Sequence, residues 1–232
     1  MSRIETQALV LKVQPYRESS ALVSMFSAKL GRFTAVFKGY RKRKGVARVE
    51  PFTVCEVSVI DRGGLATLTN FEFGHAYVLT GDRLAAGFYV MELISRGLGE
   101  RQEERALFEA SCTTLKRLSE GIAVVPVLRT FERFYLDTLG YGIDFGYDAG
   151  GEPISPEQDY EFIPDTGFVR RAGSQSTHSG AILQRIGAED YTDAETARHA
   201  RLIYQEAMLQ IIGDKPVKSR SLLGIDSIKG AN

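Results

Sequence analysis

The sequence predicts an α+β protein: a five-stranded β-barrel over residues 1–80, then a mainly α-helical domain over residues 81–232. Three observations carry this. Apolar residues alternate with polar ones, or run in short Val-rich blocks, up to about residue 75. From Gly81 onward they recur every three or four residues instead. Charge changes sign at the same place: residues 1–80 hold 12 Lys/Arg and 6 Asp/Glu, and the remainder holds 17 and 23.

The strands follow in order. Ala8–Val13 is rich in Val and Leu, and Ala21–Phe26 follows the polar turn Arg17–Ser20. In the third, Phe33, Ala35 and Phe37 alternate with Arg32, Thr34 and Lys38, the period of a half-buried strand. Thr53–Ile60 alternates again, Asp61–Gly64 is a hairpin turn, and Leu65–Phe73 completes the set. Five short strands fit the OB-fold, a pattern shared with other small barrels.

Helices are expected over residues 83–98, with the stripe Leu84, Phe88, Met91, Ile94 and Leu98, and over residues 103–118. A third carries Pro126 in its first turn and ends at Gly140. Residues 143–175, rich in Gly, Asp and Pro, read as an irregular insertion with a small hairpin near Tyr160–Ile163 and Phe168–Arg171. The last long helix starts at Thr192, with Glu195 completing a capping box, and stops at Gly213 and Pro216.

The strongest local signal is Lys38-Gly-Tyr-Arg-Lys-Arg-Lys-Gly-Val-Ala-Arg48, with six basic residues in eleven and none acidic. It joins strands three and four. Such a loop neutralises phosphates and releases their counterions. Arg32, Lys38, Arg41, Lys42, Arg43, Lys44 and Arg48 are therefore the expected phosphate contacts, with Tyr40 adding base stacking. The plain alternative is a solvated loop without a partner. A second basic cluster, Lys215, Lys218 and Arg220 beside Leu222 and Leu223, either complements a helix end or captures an acidic, apolar-tipped peptide.

Other chemistries find little support. The sequence has no GxxxxGK[ST], HExxH or GxSxG, and His75, His178 and His199 are scattered. Cys55 and Cys112 are too few for a structural zinc site and are expected as buried, reduced thiols. No cofactor is expected. No apolar run nears the roughly 20 residues that span a bilayer. Met1–Glu5 lacks a secretory apolar region, so a cytoplasmic location is expected and no membrane partner. An RNA-binding OB-fold factor and a metal-dependent nuclease are the competing readings, since charge does not distinguish DNA from RNA.

Collinear phrases then carry a family resemblance. These are Gly31-Arg32 with Val36-Phe37-Lys38-Gly39 and the basic run, Val49-Glu50-Pro51-Phe52-Thr53, Phe88–Ile94, Leu128–Gly142, and Lys215-Pro216-Val217-Lys218-Ser219-Arg220. Together, over roughly residues 5–225, they resemble the RecO family of recombination mediators. The resemblance implies a non-enzymatic DNA-repair protein that binds single- and double-stranded DNA and anneals strands. It implies partners too: the acidic C-terminal tail of single-stranded-DNA-binding protein (SSB), RecR, and RecA indirectly, in the nucleoid. Many relatives carry a four-cysteine zinc site after the Leu-Gly-Tyr turn. Residues 143–185 hold no cysteine, so the chain resembles the metal-free branch and zinc is not carried over. For the SSB tail the candidates are Arg129 and Arg133, one helical turn apart beside Phe131 and Phe134, and the cluster Lys215, Lys218 and Arg220; the alternative for the two arginines is pairing with nearby acids such as Glu132 or Asp137.

Overall fold

A computed structural model of the chain describes residues 3–40, 49–61, 65–171 and 177–223. Strands β1 (Arg3–Tyr16), β2 (Ser20–Ser27), β3 (Gly31–Phe37), β4 (Thr53–Ile60) and β5 (Ala66–Ala76) form a closed barrel in the order β1-β2-β3-β5-β4. β1 serves two partners. Its first half pairs with β4, its second half pairs with β2, and a bulge between Val10 and Lys12 bends it from one to the other. β3 and β5 pair in parallel, over Ala35–Phe37 and Ala66–Leu68 alone, which completes the OB-type topology.

The alternation seen in the sequence is the barrel's inside and outside. In β3, Phe33, Ala35 and Phe37 are buried, whereas Arg32, Thr34 and Val36 are half-buried. They join Ala8, Val10, Val23, Met25, Cys55, Val57, Val59, Leu68 and Phe71 in one core. Gly31 opens β3 with φ +61°, and a β-carbon there would lie 1.9 Å from the Gln102 carbonyl oxygen, so the turn requires glycine.

After the barrel come α1 (Gly81–Gly97), α2 (Arg105–Ser119), α3 (Val124–Thr138), β6 (Asp159–Ile163), β7 (Gly167–Arg170), β8 (Thr177–Ser179), α4 (Gly180–Gly187), α5 (Ala194–Ile212) and α6 (Lys218–Leu222). The expected hairpin is β6–β7, and β8 pairs with the other edge of β6. Two details differ from the sequence reading. The cap of α5 is Asp193, whose carboxylate accepts from the Thr196 N–H at 2.8 Å, rather than Thr192. Of the expected α1 stripe Met91, Ile94 and Leu98 are buried, whereas Phe88 stays 38% exposed and Ala85, Ala86, Tyr89, Val90 and Leu93 widen the buried face.

The strand-to-helix change near residue 80 is not where packing divides the chain. One compact unit holds the barrel with α1, α2 and α6, and the other holds α3 to α5 with the three-stranded sheet. In the second unit Phe131, Tyr135, Tyr160, Phe168, Leu183, Ile186, Ile203, Tyr204 and Met208 form the interior. No helix among the described residues is long and apolar enough to cross a membrane.

The second unit also brings together two histidines that are 21 residues apart in sequence. His178 on β8 and His199 on α5 are buried, with their Nδ1 atoms 2.7 Å apart. Arg198 lies 2.9 Å from His199 Nε2 and can only donate, so that nitrogen accepts. A neutral His199 then carries its proton on Nδ1 and donates to His178 Nδ1. Protonating His178 would set N–H against N–H. Burial first, then His199 and Arg198, lower the His178 pKa from 6.5 to about 4. His199 is lowered as well, by burial and Arg198 against an opposing pull from Glu195.

A histidine lowered in the folded state leaves the unfolded chain binding more protons between the two pKa values. Stability from the pair is therefore complete above about pH 6.5 and lost as pH falls toward 4. Urea unfolding of the parent and of His178→Asn between pH 7 and pH 4.5 measures this. The parent's stability should fall by roughly 2–3 kcal/mol more than the variant's, at about 1.4 kcal/mol per pKa unit. Parallel curves contradict the neutral pair.

Candidate nucleic-acid interface

The barrel delivers its basic connection at the end of β3. Lys38, the first residue after that strand, is exposed. Gly39 then turns the chain with φ +70°. Tyr40 is half-buried. Its ring packs 5.6 Å from Phe37, and its hydroxyl donates to the Val49 carbonyl at 3.3 Å. Tyr40 thus ties together the two ends of the connection. Arg41, Lys42, Arg43, Lys44 and Arg48 lie outside the described residues.

The far end of the connection is also fixed. Phe52 is buried at φ +66°, an unfavourable backbone region for a bulky residue. Two backbone bonds hold it there, from its N–H to Val10 O and from the Tyr77 N–H to its own carbonyl. Its ring packs 4.9 Å from Phe88 on α1. A β-carbon on Gly87 would meet that ring at 2.9 Å, so the small residue makes room for it. The basic run therefore leaves and rejoins the barrel at two anchored points.

Arg32 is a correction. Its side chain is 23% exposed, with Nη1 3.8 Å from Glu100. Its Nε donates to the Leu98 carbonyl at 2.9 Å. These bonds fasten β3 to the segment after α1, which removes Arg32 from the group of open phosphate contacts.

Arg129 is a second correction. It is 4% exposed, and Nη2 donates to Glu132, itself 1% exposed, at 3.0 Å. Sequence spacing puts it on one helix face with Arg133, either to hold the tail or to pair with an acid such as Glu132; the Glu132 pair is what forms, in the interior of α3. Arg133 donates to the carbonyls of Ile186 and Gly187 at 3.1 and 2.8 Å, closing the C-terminus of α4, with its guanidinium 5.6 Å from the Phe145 ring. The two arginines do not form one open cationic site.

At the C-terminal cluster, Lys215 and Lys218 have exposed side chains and Leu222 is 63% exposed, whereas Leu223 is buried. Glu92 of α1 holds this segment. Oε1 accepts the Lys218 N–H at 3.0 Å, and Oε2 accepts the Ser219 N–H and hydroxyl at 2.9 and 2.7 Å. Burial pushes the Glu92 carboxyl up, but the bonds from Ser219 and Lys218 and the nearby Arg96 bring it below its ordinary value. Arg220 donates to the Tyr89 hydroxyl at 3.1 Å and lies over its ring. Glu92 was not singled out in the sequence, where no local signal connects it to a partner 126 residues away.

The second unit offers a cavity of about 390 Å³ lined by Tyr141, Asp144, Tyr147, Asp148, Asp165 and Gln210 among others. Its carboxylates oppose a phosphate. Both cysteines are free. Cys55 is buried, and burial pushes its thiol up to about 12. Cys112 is half-buried rather than buried, and burial raises it to about 11. Neither is a ready nucleophile at neutral pH.

Comparison with known proteins agrees with this architecture. The family model described as "Recombination protein O N terminal" matches residues 1–77, and "Recombination protein O C terminal" matches residues 79–219. A DNA repair protein RecO from Pseudoalteromonas translucida is 32% identical over 219 residues, covering 93% of this chain and 95% of its own. Those from Stutzerimonas stutzeri and Idiomarina loihiensis are each 35% identical, covering 93% of this chain and 91% and 96% of their own. With both halves matched in order and nearly full length shared, the chain belongs to the RecO family of DNA-repair recombination proteins.

Proposed function

We propose that the chain is a DNA-binding recombination mediator and strand-annealing protein of RecF-pathway repair, acting with RecR and SSB to load RecA. The observation that carries the DNA-binding part is the basic connection between β3 and β4, rooted at Lys38 and anchored by Tyr40 and Phe52 on an OB-type barrel. It supplies positive charge to the part of the chain, residues 1–80, with a balance of +6. Annealing needs phosphate neutralisation without covalent chemistry, so the protein acts by binding and has no catalytic residue. Its place of action is the cytoplasm, at the nucleoid.

The SSB tail is assigned to Lys215, Lys218 and Arg220 beside Leu222. Acidic residues would meet the cations, and an apolar tip would meet the exposed leucine. Strand annealing on SSB-coated DNA, with intact and tail-deleted SSB, tests the whole reading. The protein should anneal strands coated with intact SSB and do so poorly on strands coated with tail-deleted SSB. Equal rates contradict the tail interaction, and no annealing on either contradicts the mediator role. An RNA strand of the same sequence, bound more tightly than DNA, would favour the RNA-binding reading.

A further inference from the structure

The exposed aromatic of the barrel is Phe73 rather than Tyr40. It is 50% exposed, and no other large aromatic side chain among the described barrel residues is exposed. It has no ring partner among the described residues, unlike Phe71, which packs 6.0 Å from Phe37. Phe71 and Phe73 share a face of β5, since their cross-strand partners Val57 and Cys55 both belong to the barrel core. Alternation alone would bury Phe73 as it buries Phe71.

A bulge changes this. Phe73 pairs with Cys55 and His75 with Val54, leaving Gly74 as an extra residue in β5. A β-carbon on Gly74 would lie 2.9 Å from the Val54 carbonyl oxygen, so the bulge requires glycine. Bulges bend a strand and re-aim its side chains. The β3–β5 pairing also stops at Leu68, leaving Phe73 without a neighbouring strand on that side. The ring therefore stands at the mouth of the barrel instead of inside it.

The net positive charge of residues 1–80 suits a polyanion. The row Phe71–Phe37–Tyr40 runs from this part of β5 to the root of the basic connection, with exposed Lys38 beside it. The carboxylates of Glu72 and its partner Glu56 project to the opposite face. An aromatic held out on the barrel that carries the basic connection is the arrangement that stacks an unpaired base, and it offers nothing to a paired one.

We propose that Phe73 is a stacking platform for an unpaired nucleic-acid base, by which the barrel distinguishes a single strand from a duplex. This rests on nucleic-acid binding by the barrel and adds what distinguishes one strand from two. The chain has no tryptophan, so Phe73→Trp places a single reporter at the platform. Its emission should be quenched by an oligothymidylate of about 16 nucleotides and little changed by a duplex of that length. Phe73→Leu should weaken binding of the single strand about 5- to 100-fold, leaving duplex affinity and the salt dependence unchanged. If Phe73→Trp binds the oligothymidylate with its emission unchanged, or Phe73→Leu binds it as the parent does, Phe73 is no platform. If the parent binds neither strand nor duplex, the DNA-binding reading itself falls, and the platform with it.

Discussion

Replacing Glu132 with alanine is expected to destabilise the protein by about 3–5 kcal/mol. Arg129 and Glu132 are 4% and 1% exposed, and their 3.0 Å bond lies in the interior of the second unit. Two further guanidinium nitrogens of Arg129, Nε and Nη1, are buried without a hydrogen-bond partner among the described residues. Removing the carboxylate leaves a cation that water cannot reach, which costs far more than a lost surface ion pair. Replacing both partners with apolar residues, as Arg129→Met with Glu132→Leu, removes both charges. That variant should return to within about 1 kcal/mol of the parent, or exceed it. Urea unfolding measures both. A Glu132→Ala protein within about 1 kcal/mol of the parent contradicts the buried pair. It follows that weaker peptide binding by Arg129→Ala would report a damaged core, not a lost contact.

Replacing Arg41, Lys42, Arg43 and Lys44 with alanine should flatten the dependence of DNA affinity on salt. Each phosphate contact contributes about 0.7 to 0.9 to the slope of log affinity against log salt, so four contribute roughly 3. Between about 50 and 200 mM salt the parent should lose roughly 50- to 100-fold more affinity than the variant. Single strands and duplexes should both be affected, with little regard to sequence, because phosphates carry no base information. The anchors at Tyr40 and Phe52 stay in place in this variant, so circular dichroism and the urea midpoint should match the parent. Unchanged affinity and slope contradict the assignment of this connection.

The barrel was legible because its strands are short, alternating and separated by turns, and burial imposes that pattern on each strand separately. What closes the ring was not. The parallel contact of β3 with β5 is three residues long, and β1 reaches β4 through residues that the pattern left outside its strand. In the helices, three-to-four spacing found the elements and most of their buried positions, such as Met91, Ile94 and Leu98, but not every face. α1 is apolar around much of its circumference, and Arg129 and Arg133 sit a turn apart without sharing an open surface. The short helix α4 lies between the irregular insertion and the last long helix, where the pattern marks no element, although Ser179 caps it by accepting from the Ile182 N–H. The site divides along the same line. A run of charge is local and was found, whereas Glu92 with Ser219, His178 with His199, and the bulge that turns Phe73 outward are made by tertiary pairing.

In the proposed function the barrel meets DNA through the basic connection leaving β3. Backbone hydrogen exchange of the full chain, with and without a saturating single-stranded oligonucleotide, tests this most directly. Slowed exchange is expected in peptides spanning residues 36–52 and 69–77, with residues 123–215 little changed. Protection confined to residues 123–215, with the β3–β4 connection exchanging as in the free protein, would contradict it.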